Sequence, residues 1–337
     1  MRMFTYREIT LLFTPLKVMK HWFRTSIMTS DESVFLRLYR RFRRKDRNSL
    51  FSIRFRIFSY RVLLWMLLPD RRRAMLNVRK NIAFYPDLPS PLYAIFSICL
   101  FLNARMTRNI NKADLVVRWK DNSLYSLPEK DILLLEGKKT INLKCDNITK
   151  LYVDEVFHDV FGYSTRLDPL HYTGECVKKS NYNAVHDGKV IDCPIEKVDP
   201  DCIYQLKLNN EVPGTNFVID LRTYVFGNTI PFVRLTYKPK DTRFDADFID
   251  AKVVTTNEMF TFEEVDLILE LCRRIGLDYG ELDIIRHRDD GKLYILDVNN
   301  TPSIWSINPC YDFDDRLYAA KSFYNEFLRD GVHTSSS

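Results

Sequence analysis

The 337-residue sequence predicts a mixed α/β (α+β) fold behind a basic, mainly helical N-terminal region. Three observations lead there. From about residue 110 onward, short strand-like runs alternate with turn residues and are interrupted by two capped helical patterns. A hydrophobic content of 46% supports a sizeable core. Charge is also divided along the chain: residues 1–120 hold about 25 Lys/Arg against about 7 Asp/Glu, so the remainder is acidic although the whole carries +6.

The basic region comes first. Residues 34–86 interleave arginines with Phe, Leu, Ile, Tyr and Trp over several turns, a pattern of amphipathic helices. Such a surface suits docking on anionic lipid or on another protein, and equally an ordinary helical domain with solvated arginines. No nucleic-acid motif accompanies the charge, which ranks nucleic acid behind both. The longest apolar runs, Val62–Leu68 and Leu92–Leu102, fall short of the roughly 20 residues of a spanning helix. The first thirty residues lack a long apolar stretch with a clear cleavage site, so no signal peptide is expected. Seven cysteines without CxxC spacing point to a reducing compartment, and a cytoplasmic protein with a basic, membrane-facing region is the expectation.

Pro86, Pro89 and Pro91 punctuate the chain, and a boundary is expected near residue 110. ADLVVRW and KDILLLEG follow as strands. Asp146 is expected to cap a helix whose apolar positions Leu151, Val153, Val156, Phe157 and Val160 lead to Gly162. Strands are then expected at GECVKKS, KVIDCPI, CIYQLKL, NFVIDLRTYVF and TIPFVRLTYK, with Gly227-Asn228 as a two-residue hairpin turn between the last two. Thr261 and Glu264 form a capping box for a helix through Leu267, Ile268, Leu271 and Cys272, stopped by Gly276. ELDIIR and KLYILDVN flank Asp289-Asp290-Gly291 as a final hairpin.

That hairpin carries the chemistry. Alternation puts Leu293, Ile295, Asp297 and Asn299 on one strand face, and a register centred on Asp290 sets Asp283 opposite Asp297. Two facing carboxylates repel and call for a cation, and Mg2+ suits a few carboxylate and amide oxygens. A solvent-exposed hairpin with harmless acids fits the spacing as well. The histidines, His287 included, show neither metal-ligand spacing nor a nucleophile motif, and His287 is expected to be exposed.

GLDYGELDIIRHRDDGKLYILDVNNTPS resembles the closing segment of ATP-grasp enzymes, where an acid on one strand and acid-x-Asn on the next hold metal before a proline. The resemblance implies metal ligands at Asp283, Asp297 and Asn299, with Pro302 following; Asp297 stands where many members carry Glu. Other segments follow the order of that superfamily over roughly residues 140–310. GECVKKS is similar to the strand whose lysine meets the ATP phosphates, with Lys179 the better match and Lys178 pointing the other way. CIYQLKLNNE resembles the adenine-contacting linker, which makes Gln205, Leu206 and Lys207 candidates and Glu211 a ribose candidate. Lys150 resembles a second nucleotide lysine. VIDLRTYVFGNTIPFVRLTYKPKDTRF is similar to the DxR strand of tubulin tyrosine ligase-like and ribosomal-protein glutamate ligase enzymes. That likeness points to Arg222 as a γ-phosphate or acyl-phosphate contact, the plain alternative being a surface Arg paired with Asp220. Arg234 is a further catalytic candidate, which a strict two-residue hairpin would turn to the opposite face unless Pro231 marks a bulge. Lys238 and Arg243 are further candidates for phosphate or substrate cations, Arg243 as a catalytic one. The loop SNYNAVHDGK departs from the Gly-rich loop of many members, leaving Asn181, Asn183 or His186 to assist.

The resemblance implies an ATP-grasp fold divided as 1–110, a basic helical region; 111–205, the pre-ATP-grasp and first subdomain; and 206–330, the second subdomain with the metal hairpin. It implies ATP and Mg2+ as cofactors and a carboxylate–amine ligase as activity. An ATP-grasp kinase acting on a hydroxyl and a non-catalytic, membrane-associated nucleotide-binding module are the alternatives. VRWKD, the HDG loop and LDYGELD resemble the sugar-transfer-associated, teichuronopeptide-type branch. That likeness implies a sugar acid or glycan carboxylate, an amine acceptor, and an anionic membrane or glycan-assembly protein as partner of residues 1–110.

Overall fold

The structure is a computed structural model that describes residues 76–89, 93–183, 185, 187–244, 248–303 and 313–329. The basic stretch up to residue 75, with the surface expected of it, and His186 lie outside the described residues.

Strands β1 (Asn81–Pro86), β2 (Arg105–Thr107), β3 (Leu115–Trp119) and β4 (Thr140–Ile141) form a parallel sheet in the order β2-β1-β3-β4. Apolar side chains leave both of its faces, as parallel sheets require. Ile82, Phe84, Leu115 and Val117 pack on helix α1 (Ala94–Leu102), whereas Ala83 and Val116 join Leu135 of helix α2 (Glu129–Leu135). Helix α1 is apolar all round because the closing helix α6 (Phe313–Phe327) covers its other side with Ala319, Ala320, Phe323 and Phe327.

Two expectations change here. Residues 81–86, read as part of a helical stretch, are strand β1, which pairs with β3. KDILLLEG lies within and just after helix α2. Pro128 precedes that helix, Glu129 and Asp131 occupy its first turn, and Gly137 follows at a φ of 71°. Its residues Ile132, Leu133 and Leu134 are exposed.

The central sheet is antiparallel, in the order β10-β9-β8-β11-β12. Its strands are β8 (Phe217–Phe226), β9 (Val233–Pro239), β10 (Asp250–Val254), β11 (Tyr279–Arg286) and β12 (Leu293–Asn299). One face packs through Leu221, Leu282 and Ile284 on helices α3 (Lys150–Phe161) and α5 (Phe262–Ile275), with the short helix α4 (Thr256–Met259) leading into α5. The Thr261–Glu264 capping box and the Gly276 C-cap of α5 form as expected. Helix α3 ends at Gly162 as expected, but its N-cap is Thr149; Asp146 instead reaches Arg118 at 2.6 Å. Gly227-Asn228 makes the two-residue turn, with Phe226 and Thr229 exchanging 2.9 Å hydrogen bonds. A third sheet, β6-β5-β7, comprises β5 (Gly174–Ser180), β6 (Lys189–Cys193) and β7 (Cys202–Leu206).

Asn142 ties the first sheet to the central one. Its backbone sits at a φ of 60°, its Oδ1 accepts from the N–H groups of Asp278 and Tyr279 at 2.8 Å, and its Nδ2 donates to Tyr279 O at 2.8 Å. Among the described residues, no helix is long and apolar enough to cross a membrane.

Candidate functional site

The face of the central sheet turned away from α3 and α5 packs Tyr224, Phe226 and Tyr279 against α6 at one end and is charged beyond them. A single row of directly paired residues crosses four strands: Arg234 on β9, Arg222 on β8, Asp283 on β11 and Asp297 on β12. Directly paired residues share a face. The β8–β9 pairing slips by one residue between the Phe226–Thr229 bridge and the Thr223–Val233 pair, which brings Arg234 onto the face of Arg222. The next row holds Tyr224, Glu281 and Asn299.

The β11–β12 hairpin reaches the expected Asp283–Asp297 pair by an unexpected route. From Arg286–Leu293 to Ile284–Ile295 the register is one residue short of the one centred on Asp290, and Leu296, left without a partner, makes up the difference. Leu293 and Ile295 therefore share the core face with Val298 rather than the face of Asp297 and Asn299, because the bulge interrupts strict alternation.

Each acid meets a protein cation. Arg222 forms an ion pair with Asp283 and a 2.9 Å hydrogen bond to Glu281, whereas Asp220, the partner considered for Arg222, pairs with Lys238 at 3.1 Å. Asp297 lies 3.5 Å from Lys150. Lys150, at the start of α3, is 7% exposed and also donates to Tyr182 O and Asn183 Oδ1. Lys179, at the end of β5, donates to the carbonyl of the bulged Leu296 at 3.4 Å.

One pocket between the small sheet and the central sheet brings together Lys150, Lys179, Gln205, Leu206, Arg222, Lys238, Arg243, Asp283 and Asp297. Its apolar wall is made by Val177, Leu206, Leu208, Ile284, Ile285 and Leu296. Gln205 is buried and donates to Thr165 Oγ1 at 2.6 Å; Arg243 is held by Leu208 O and Asn210 Oδ1.

Other expected residues stand elsewhere. Lys178 points away to Asp199 at 2.9 Å, as alternation predicts. Lys207 is drawn off to Glu175 and Glu211 to Lys240, in half-exposed ion pairs outside the pocket lining. Arg234 is buried beside Glu281 at 3.5 Å, and Asn299 Oδ1 accepts from Thr301 N–H at 3.0 Å; neither lines the pocket. Asn181 serves the start of α3, its Oδ1 accepting from Leu151 N–H at 2.9 Å.

Burial shapes the site's titration. It pushes the Lys179 ammonium down to about 8, opposed by Asp297 and reinforced by Lys150. It also pushes the Asp283 carboxyl up to about 6, opposed by Arg222 and reinforced by Glu281 and Asp297. No group of three or more His, Cys, Asp or Glu placed to hold a metal occurs among the described residues; the two carboxylates that face each other across the strands are Asp283 and Asp297.

Glu281 and His287 are residues of this region that the sequence does not single out, whereas Asn183, a candidate of the loop, stands beside Lys150. Glu281 lies two residues before Asp283, so alternation alone puts it on the same face. His287 is partly buried, at 17% exposure, rather than exposed. Its Nδ1 accepts from Asn209 N–H at 2.9 Å, which pins the hairpin turn to the linker after β7. The loop named Asn183 as a candidate, but its partners Ser123, Lys150 and Val298 come from segments distant in sequence.

No family model matches the chain, and no curated protein matches it. Among solved structures it is similar to the ATP-grasp ligase PsnB complexed with minimal precursor, at 14% identity over 74% of this chain and 99% of that chain, with a TM-score of 0.48. It is also similar to the VanG D-Ala:D-Ser ligase from Enterococcus faecalis, at 12% identity over 73% and 99% of the two chains, with a TM-score of 0.47. D-alanine–D-alanine ligase from Bacillus anthracis gives 14% identity, 74% and 95% coverage and a TM-score of 0.45.

Proposed function

We propose that this chain is an ATP-grasp enzyme that uses ATP and Mg2+ to activate a carboxylate and join it to an amine. One observation carries the reading: Lys150, Lys179 and Arg222 come from three separate elements and reach one pocket in which Asp283 stands directly opposite Asp297. A polyanion with an apolar base fits that combination. The cations suit its phosphates, and the wall of Val177, Leu206, Leu208 and Leu296, beside the backbone of Gln205 and Leu206, suits its base.

Magnesium fits the donor set. Asp283 and Asp297 offer hard oxygens from two paired strands, Asn299 would join them by turning its Oδ1 from Thr301 N–H, and a cation would offset the burial that raises Asp283 to about 6. When bound there, the metal supplies charge neutralisation and alignment of phosphate oxygens. Lys150 and Lys179 would hold the phosphates. Arg222 would stabilise charge on the transferring phosphoryl group, a role its position beside Asp283 supports. In the reaction, a substrate carboxylate oxygen attacks the γ-phosphorus and ADP leaves. The amine nitrogen then attacks the acyl carbon, phosphate leaves, and the nitrogen loses a proton. No protein nucleophile is required.

On the sequence resemblance of VRWKD, the HDG loop and LDYGELD, the carboxylate belongs to a sugar acid or an amino-acid-bearing glycan, and the basic region keeps the enzyme near an anionic membrane. Calorimetry with Mg-ADP tests the site, and absence of binding by folded protein refutes it. Turnover with hydroxylamine and candidate sugar acids tests the reaction: hydroxamate marks an acyl phosphate, whereas a stable phosphorylated alcohol marks a kinase.

A further inference from the structure

We propose that Asn183 is a positioning residue that holds the Lys150 ammonium at the phosphate end of the pocket, an inference that rests on the nucleotide reading above. Three contacts carry it. Asn183 Nδ2 donates to Val298 O at 2.7 Å, its Oδ1 accepts from Lys150 Nζ at 3.1 Å, and its backbone N–H donates to Ser123 Oγ at 2.8 Å. A carbonyl only accepts and an ammonium only donates, so the amide has one orientation that satisfies both.

Through these contacts Asn183 gathers three parts of the molecule. Val298 follows Asp297 on β12, Ser123 belongs to the loop after β3, and Lys150 opens α3. The segment after Lys179 has no glycine before Gly188, and Asn183 anchors it by its side-chain amide to the strand that carries Asp297.

The consequence falls on Lys150. Its ammonium is shared among Tyr182 O at 2.9 Å, Asn183 Oδ1 at 3.1 Å and Asp297 at 3.5 Å. The two neutral acceptors are nearer than the carboxylate and keep the ammonium from closing onto it, where its charge would be neutralised and lost to an incoming phosphate. Removing Asn183 Oδ1 tips that balance toward Asp297. Asn183→Asp is no substitute: one oxygen would face the Val298 carbonyl, and its charge would compete with phosphate for Lys150.

The test is Mg-ADP calorimetry on the full chain in a double-mutant cycle with Lys150. Asn183→Ala should weaken binding about tenfold, the change expected for disturbing one hydrogen bond to a charged group. It should add nothing further in the Lys150→Ala background. Affinity equal to the parent's in Asn183→Ala, or a loss that persists undiminished without Lys150, overturns the proposal. Should Asn183→Ala fail to fold, the same-sized Asn183→Asp takes its place, with weaker binding expected and parental affinity overturning. If Lys150→Ala and Lys179→Ala weaken binding while Asn183→Ala does not, the Asn183 proposal alone fails. If the parent does not bind, or neither lysine matters, the nucleotide reading fails and takes the proposal with it.

Discussion

Arg222 and Arg234 stand directly opposite each other on β8 and β9, and Glu281 on β11 reaches both, at 2.9 and 3.5 Å. Like charges so placed repel, and a buried carboxylate beside them offsets the repulsion. Glu281→Gln should therefore lower the unfolding free energy by about 3 kcal/mol, the scale of breaking a buried ion pair. It should also weaken phosphoryl transfer, because Arg222 loses an anchor beside Asp283. Urea denaturation checks the first outcome and ATP turnover the second.

Asp297→Asn and Asn299→Ala should each abolish magnesium-dependent phosphoryl transfer. Facing carboxylates alone would make the metal-free Asp297→Asn protein melt at or above the parent. The structure changes that expectation, because Lys150 and Arg222 already compensate the pair. Loss of the Lys150 contact should lower apo stability by about 1 kcal/mol. Thermal melts with and without Mg-ADP read both effects, and a variant that keeps the full ligand-induced shift removes the hairpin as the metal site.

Lys179 sets a pH dependence. Its ordinary value is 10.5 and burial lowers it to about 8 in the folded chain. At pH values below the lowered one, both states hold the proton and the burial cost is fully present. Between about 8 and 10.5 the unfolded chain binds more protons, so the Lys179 contribution to stability rises with pH. Lys179→Met should thus be stabilised relative to the parent near neutral pH, and that advantage should shrink by about pH 10. Paired urea titrations follow the difference, and one that stays flat refutes the assignment. In the parent, Mg-ADP affinity should fall as pH passes about 8.

Asn142→Ala should cost about 3 kcal/mol, since it strips partners from the buried N–H groups of Asp278 and Tyr279 and from Tyr279 O. Asn142→Gly, which relieves the left-handed backbone but lacks the amide, should be similarly destabilised. A glycine variant of parental stability would assign the asparagine to backbone conformation instead.

Features written in adjacent residues were legible in the sequence. The Thr261–Glu264 box, the Gly227-Asn228 turn and the alternation that separates Lys178 from Lys179 are local, and the structure carries all three. What failed depends on distant partners. KDILLLEG has strand-like residues but follows Pro128 and buries mainly Leu135, so helix wins. Asp146 looked like a cap until Arg118 claimed it, and Lys207 and Glu211 are drawn into surface pairs with Glu175 and Lys240. Arg234 came onto the Arg222 face only through a slip in pairing, the case left open at Pro231.

The unpaired Leu296 separates two lengths that a plain hairpin would couple. Between Ile295 and Asp297 the chain must count one extra residue, or the acid and Asn299 rotate into the packed side of the sheet. Beyond Arg286 and Leu293 that constraint lapses, and the turn can gain or lose residues without turning the acids over. Insertions and deletions in descendants of this sequence are accordingly expected at the hairpin tip, while the spacing at position 296 is inherited unchanged.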